Sequence, residues 1–394
     1  VTELYRWQLI PELSGKGCRC MAQDANGMIW FGVNGGLLSY DGLVWQFHVV
    51  HEKWRNDPVV ALCAAGDGTL YAGTPKGVCR YRDGGWQDLD IHLGLADTLD
   101  FPNNKYPIIE TPDHSIYIGT HQGLLRLHDD RMTLYRREGL YPSLTTGYQN
   151  DAVQTLAAQS VYCLYLEDDD RLWLGLNDGT VYTLSLADLN QAKSRWQRMD
   201  DQAGFRLGQF PNITKNGSRI YIVNQESNHG VNIYDGRRWS AFDLGGRFGV
   251  DNVHSDLLTT ADGTLWIGGL EHLFAFKERQ WYIYDSAELP LPANRLFLHE
   301  TRDGSLWIGG LGSELWRLDL ATPRWTSFKQ LNYQGENQQG EKWFLSRDGK
   351  IVTCDSTMQG WLAFDIRDGL MDTPAALLVT RAGRIWAAGS HTSM

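Results

Sequence analysis

The chain has 394 residues, a net charge of −11 and no run of basic residues. That composition argues against a nucleic-acid partner, because nonspecific affinity there comes from neutralising phosphates. No apolar run reaches the ~20 residues of a membrane-spanning helix, the first residues lack a signal-peptide pattern, and six cysteines with no CxxC pair give no zinc framework and leave the compartment open.

In chain order, residues 3–10 look like the last strand of a β-unit that lacks its first three strands. Such a segment is expected to complete a C-terminal unit and leave no exposed edge. The units that follow share one pattern. Residues 262–269 (DGTLWIGG) recur nearly verbatim at 303–310 (DGSLWIGG). Asp-Gly is a strong hairpin signal, read here as a type I′ turn with both central residues at positive φ. The Leu-Trp-Ile run after it alternates faces as a half-buried strand does. A glycine then ends the strand where backbone passes close.

Aligning on that last position gives Gly32, Gly73, Gly119, Gly175, Val223, Gly268, Gly309, Cys354 and Gly389. A spacing of about 40–50 residues in a strand-rich chain is the mark of a β-propeller, and the absence of a 3.6-residue apolar period disfavours helical repeats. The predicted fold is therefore all-β: a propeller of four-stranded blades, about eight in number (seven to nine), closed by the N-terminal strand. It is read as a single propeller over residues 1–394, with 375–394 as a partial blade or the start of a further region. Blades are expected near 18–48, 59–90, 106–137, 161–200, 208–243, 254–285 and 295–328, with an eighth at 342–366 showing three strands. The N-terminal strand completes either the eighth or the ninth unit, and the sequence leaves both closures open.

Of the sixteen tryptophans, five fall in the second strand (Trp30, Trp173, Trp266, Trp307, Trp386) and seven in a fourth-strand slot that includes Trp7, Trp325 and Trp239. Packing between blades accounts for these. Trp54, Trp316, Trp343 and Trp361 lie off the pattern.

The turns between first and second strands are short, whereas connections between blades and between second and third strands vary. Binding residues concentrate on variable loops of a rigid scaffold, so that face is the candidate site. It carries Trp54 and Arg55 between blades one and two, Tyr141 and Tyr148 in the long connection 138–159, and Arg247 with Phe248 before blade six. Its second-to-third loops add His121 and Gln122, Asn177, Asn228 and His229, and Glu271 and His272. Exposed aromatic rings among hydrogen-bonding groups suit a sugar, which has an apolar face and polar edges, or a peptide.

Glu110, Glu167 and Glu300 lie on the opposite, short-turn face, where carboxylates are expected to accept turn N–H groups. Asp168-Asp169-Asp170-Arg171 lacks the spacing and glycine of an EF-hand. There is no HExxH, P-loop or Gly-x-Ser-x-Gly elbow, so no catalytic residue, metal or cofactor is assigned.

The repeat as written, Asp-x-x-Gly-x-[Ile/Leu]-Trp-[Ile/Phe/Leu]-Gly followed by Gly-Leu-x-x-[Tyr/Leu]-Asp, resembles the two-component regulator propeller repeat. Residues 21–42 (MAQDANGMIWFGVNGGLLSYDG) and 110–127 carry it, as do the linkers Glu138-Gly139-Leu140 and Asp368-Gly369-Leu370. The resemblance spans essentially the whole chain. It implies an extracytoplasmic sensor of bacterial histidine kinases and hybrid regulators, some of which sense oligosaccharides, hence a periplasmic or extracellular location and a homodimer formed through an output region. The chain departs from larger members in showing no kinase, cyclase, second full ring or trailing sandwich domain. Copies five (Val223) and eight (Cys354) have lost the glycine.

The expectation is thus a non-enzymatic sensor taking an oligosaccharide or other small-molecule ligand. The alternatives are a protein-interaction scaffold on the same face, and third a propeller lyase or hydrolase with converging carboxylates or histidines.

Overall fold

The computed structural model describes all residues except 1–6, 51–54, 90, 92–106, 121–122, 136–141, 145–159, 190–195, 227–229, 251–253, 286–290, 292–295, 311–313, 321–330, 356–360, 371, 381–382 and 390–394. The chain falls into two compact units, Val1–Ala321 and Thr322–Met394.

Among the described residues of the first unit, β-branched and aromatic runs punctuated by glycine and aspartate form seven antiparallel sheets, or blades. Their first strands are Cys20–Gln23, Ala61–Ala64, Ile108–Glu110, Val161–Glu167, Gln209–Asn216, His254–Thr259 and Leu296–Glu300. Each blade runs as a meander from this strand outward. Blade three carries a fifth strand, Pro142–Leu144, on the outer edge of Arg131–Tyr135.

Neither face of a blade is polar enough to meet water, so the blades stack. Seven apolar clusters result, one at each seam. Trp173 with Ile213 and Ile222 fills the seam between blades four and five. Phe31 with Phe297, Trp307 and Leu315 fills that between seven and one, where Phe31 and Trp307 meet edge-on at 5.4 Å. The ring therefore closes on itself. This is an all-β propeller.

Closure differs from both expected arrangements. Trp7–Ile10 pairs antiparallel with Leu315–Asp319, the third strand of blade seven, in the register Trp7↔Leu318 to Ile10↔Leu315. The N-terminal strand takes the fourth place in blade seven, the place assigned from sequence to Trp325 and Phe328, which lie outside the described residues. Its two ends are buried through Trp7 and Ile10, and Leu13 just beyond is fully buried.

The Asp-Gly turns also differ from type I′. Gly263 and Gly304 have positive φ, but Asp262 and Asp303 do not. The aspartate acts through its side chain: Asp262 Oδ1 accepts the Thr264 N–H (3.0 Å) and the Thr260 hydroxyl (2.7 Å), as an Asx turn does. Consecutive positive-φ pairs occur between third and fourth strands, at Asp83-Gly84, Asp129-Asp130 and Glu278-Arg279, and in one first-to-second turn, at Asp168-Asp169.

On the short-turn face, the carboxylates tie blades together. Glu110 accepts the Gly66 N–H of the preceding blade at 2.7 Å, and Glu300 accepts that of Ala261 at 2.9 Å. Gln23 plays the same part for the Arg302 N–H across the closing seam, at 2.8 Å. Glu167 instead accepts the Trp173 indole N–H at 2.7 Å and faces Lys215.

The second unit holds a four-stranded sheet, Leu331–Glu336, Lys342–Ser346, Ile351–Cys354 and Trp361–Phe364, and a two-stranded one, Pro374–Val379 with Ile385–Gly389. The sequence alignment of the eighth unit is one strand out of step. Asn337 accepts the Gln339 and Glu341 N–H groups through Oδ1, as Asp24 does for Asn26 and Met28 in blade one. Hence Leu331–Glu336 is the first strand and Trp343 is the second-strand tryptophan. Pro374–Val379 packs on the first two strands of this sheet, as the first strands of blades two to seven pack on the blade before them. Trp361 then takes the fourth-strand aromatic place, leaving Cys354 in a third strand.

Candidate functional site

In an antiparallel meander the first-to-second and third-to-fourth turns share one face. The second-to-third turns and blade connections share the other, so first strands begin on the variable-loop face. At their heads lies a cavity of about 250 Å³ lined by residues of six first strands, from Cys20 in blade one to Asp256 in blade six. It sits on the ring axis.

Glycine makes this approach of strands possible. A Cβ on Gly32 would come within 2.4 Å of Cys20 Sγ and 2.8 Å of the Val59 carbonyl oxygen; one on Gly175 would meet Pro211 at 2.6 Å. These are the strand-ending glycines of the repeat, and any larger residue would push the next first strand off the axis.

The heads of three first strands are irregular. The pairing register shifts between Val161 and Cys163, and between His254 and Asp256. Between Gln209 and Pro211 the pairing skips Phe210, whose φ is +54°. A bulky residue at positive φ is a true outlier, and bulges re-aim side chains beside binding sites. Here the ring of Tyr162 lies 5.2 Å from that of Phe210 across the seam of blades four and five, and Tyr162 lines the cavity.

Asp256 and Asn212 supply the buried polar side chains of the wall, each 8% exposed. Asp256 Oδ1 accepts the Leu257 N–H at 3.0 Å. Its Oδ2 accepts the Leu298 N–H at 2.8 Å, from the first strand of blade seven. The carboxylate is thereby held at a fixed place between two blades.

Asn177 is the sequence-predicted residue nearest this arrangement. Its carbonyl accepts the Phe210 N–H at 3.2 Å, and its side-chain Oδ1 is buried without a hydrogen-bond partner among the described residues.

Arg247, Phe248 and His272 gather at a second place. Asp243 caps a five-residue helix, Leu244–Phe248, by accepting the Gly246 N–H at 2.8 Å, and Gly249 ends it at φ +72°. That turn carries the Arg247 guanidinium 5.9 Å over the Phe248 ring. Phe248 and His272 both pack on the buried ring of Phe274, at 6.0 and 6.3 Å. Glu271, beside it, is exposed at φ +60°, and the His272 ring binds the Leu270 carbonyl at 2.7 Å. These aromatics pin their own loops. Arg55 stands exposed in the connection after blade one. Trp54, His121, Gln122, Tyr141, Tyr148, Asn228 and His229 lie outside the described residues.

Tyr162, Phe210, Asn212 and Asp256 escaped the sequence reading because the irregular strand heads that present them leave no periodic mark. Among the described residues, no three metal-ligating side chains gather, and no helix is long and apolar enough to cross a membrane.

No family model and no curated protein matches the chain. Solved structures do resemble it. One is a catalytically inactive virginiamycin B lyase from Staphylococcus aureus with quinupristin, at 13% identity and TM-score 0.56, over 80% of this chain and 99% of that one. Another is YCF48 bound to D1 peptide, at 14% identity and TM-score 0.54, over 79% and 94%. The extracellular domain of a putative one component system from B. thetaiotaomicron aligns over 95% of this chain and 63% of its own, at 16% identity and TM-score 0.36. The first two share the fold, and fold alone assigns no activity.

Proposed function

We propose that the ring is a ligand-receiving input module of a bacterial extracytoplasmic signalling protein, and that a small polar molecule enters it from the variable-loop face. The axial cavity carries this reading: it lies at the strand heads, towards the variable loops, with a fixed carboxylate in its wall. The repeat resemblance supports the signalling role and the periplasmic or extracellular location. The glycan version depends on Trp54, Tyr141 and Tyr148, outside the described residues. The reading takes the ring as non-enzymatic. Hydrolysis of glycosides needs two opposed carboxylates, and among the described lining residues Asp256 is the one carboxylate.

A thermal-shift panel of neutral sugars, amino acids, carboxylates and alkylammonium ions on the 394-residue chain tests the reading. Saturable stabilisation by any of these classes, weakened by Asn212→Leu, is expected. A flat response across the panel would sink it.

A protein-interaction scaffold is the second reading. It is favoured by the outer edge of blade one, where Leu43, Val44 and Phe47 are exposed at 90%, 62% and 50%. A stoichiometric protein partner lost on Phe47→Ser would select it.

A further inference from the structure

Among its described lining residues the axial cavity carries one charged side chain on a largely aliphatic wall. Asp256 is that charge; Tyr162 and Asn212 are neutral and polar, Cys20 and Cys163 are weak donors, and the remaining lining side chains are aliphatic, such as Val60, Ile108 and Leu164. Arg19 precedes Cys20 in the chain but is not among the lining residues. At about 250 Å³ the space is below the ~300–1,000 Å³ usual for drug-sized ligands, so it takes a single small unit.

Three ligand classes can be weighed against that wall. A sugar brings a hydroxyl on nearly every carbon, and most would face aliphatic groups with no partner, which is costly. An anion would meet the Asp256 carboxylate. A primary ammonium needs three acceptors for its three N–H groups. An alkylated ammonium ion needs none: it asks for one opposing charge, apolar contact and, where available, the face of an aromatic ring.

Those three requirements coincide here. The Asp256 carboxylate is anchored by backbone N–H groups from two blades. A bulge brings Tyr162 to the wall and Phe210 braces its ring. We propose that the axial cavity is a binding site for a small alkylated ammonium ion, its charge set against Asp256 and its alkyl groups against Tyr162 and the aliphatic wall. This rests on the ligand-receiving reading above and specifies its ligand.

The test is calorimetric titration of the full 394-residue chain with choline, tetramethylammonium and 3,3-dimethylbutan-1-ol, the uncharged isostere of choline. Both cations bind saturably, and the isostere binds at least tenfold more weakly. Asp256→Asn lowers choline affinity at least tenfold. Because that change also touches the Leu298 contact, Tyr162 supplies an independent arm: Tyr162→Leu weakens choline severalfold and Tyr162→Phe does not. Equal binding of choline and its isostere, or choline affinity unchanged by both Asp256→Asn and Tyr162→Leu, overturns the proposal. Saturable binding of a neutral sugar or a carboxylate with none of choline overturns the ligand class and leaves the ligand-receiving reading standing. No binding by any class overturns both.

Discussion

The repeat places tryptophan at the same second-strand position in several units, yet the structure gives two of these residues opposite surroundings. Trp307 is 1% exposed, and its indole N–H donates to the Thr301 hydroxyl at 3.0 Å. Its ring meets Phe31 edge-on across the closing seam. Trp386, in the second unit, is 63% exposed. Truncating a buried tryptophan costs about 3–5 kcal/mol from lost transfer energy and the cavity left behind. A ring of this kind buries ~150–250 Å², which at ~25 cal/mol per Å² gives about 4–6 kcal/mol and agrees. Exposed substitutions usually stay within about 0.5 kcal/mol. Trp307→Ala should therefore lower the unfolding free energy of the ring, read from its urea midpoint, by several kcal/mol, and Trp386→Ala should leave it unchanged. A cycle of Trp307→Leu with Phe31→Leu should show a coupling of about 0.5–1.5 kcal/mol from the edge-on contact. Circular dichroism and limited proteolysis during urea titration read all of these. If the two alanine variants lose the same stability in the 394-residue chain, position in the repeat rather than burial governs, and the reasoning fails.

The same logic gives four further expectations. Burial alone would raise the carboxyls of Asp113 and Asp262, but threonine hydroxyls, turn N–H groups and the nearby Arg126 or Lys277 outweigh it and hold both at about 2. Their folded values lie below the unfolded one near 3.9, so their stabilisation is complete above about pH 4 and disappears as pH falls towards 2. Asp113→Asn with Asp262→Asn should flatten the acid limb of a Tm–pH curve, and an unchanged limb would count against these turns. Gly32→Ala should destabilise by about 1–3 kcal/mol, because Cys20 and the Val59 carbonyl must give way; unaltered unfolding would contradict the close packing. Glu300→Ala removes the acceptor that holds the exposed Ala261 N–H across the seam and should cost about 0.5–1.5 kcal/mol, while Glu300→Gln retains an acceptor and should cost less. Phe210→Gly removes a bulky residue from φ +54° and should raise Tm if relief of strain exceeds the loss of its contact with Tyr162. A fall in Tm would show the contact to be worth more.

Much of the architecture is readable from the chain because blade packing writes itself into period. The Leu-Trp-Ile-Gly strand at 265–268 must present an aromatic to a neighbour and end where that neighbour approaches, and both needs constrain residue type. Closure is not periodic, so the sequence could suggest that residues 3–10 complete a unit but not which one. The choice depends on which third strand has an open edge, and Leu315–Asp319 is that strand. The eighth unit reads one strand out of step in the sequence because Asp348-Gly349, between its second and third strands, repeats the Asp-Gly signal of a first-to-second turn. In the site, Asn177 was found through loop position, whereas Tyr162 and Phe210 were not. A bulge is an exception to alternation, and single exceptions resemble noise in one sequence.

The strand Trp7–Ile10 has a temporal meaning as well. It is made some three hundred residues ahead of its partner, Leu315–Asp319. At about 5–20 residues per second the gap lasts tens of seconds. Through that interval an apolar segment bearing Trp7, Ile10 and Leu13 waits without its final contacts. Ring formation then ends with a single event of very high contact order, which sets the slow step of folding and the moment at which the protein is most open to pairing with another chain.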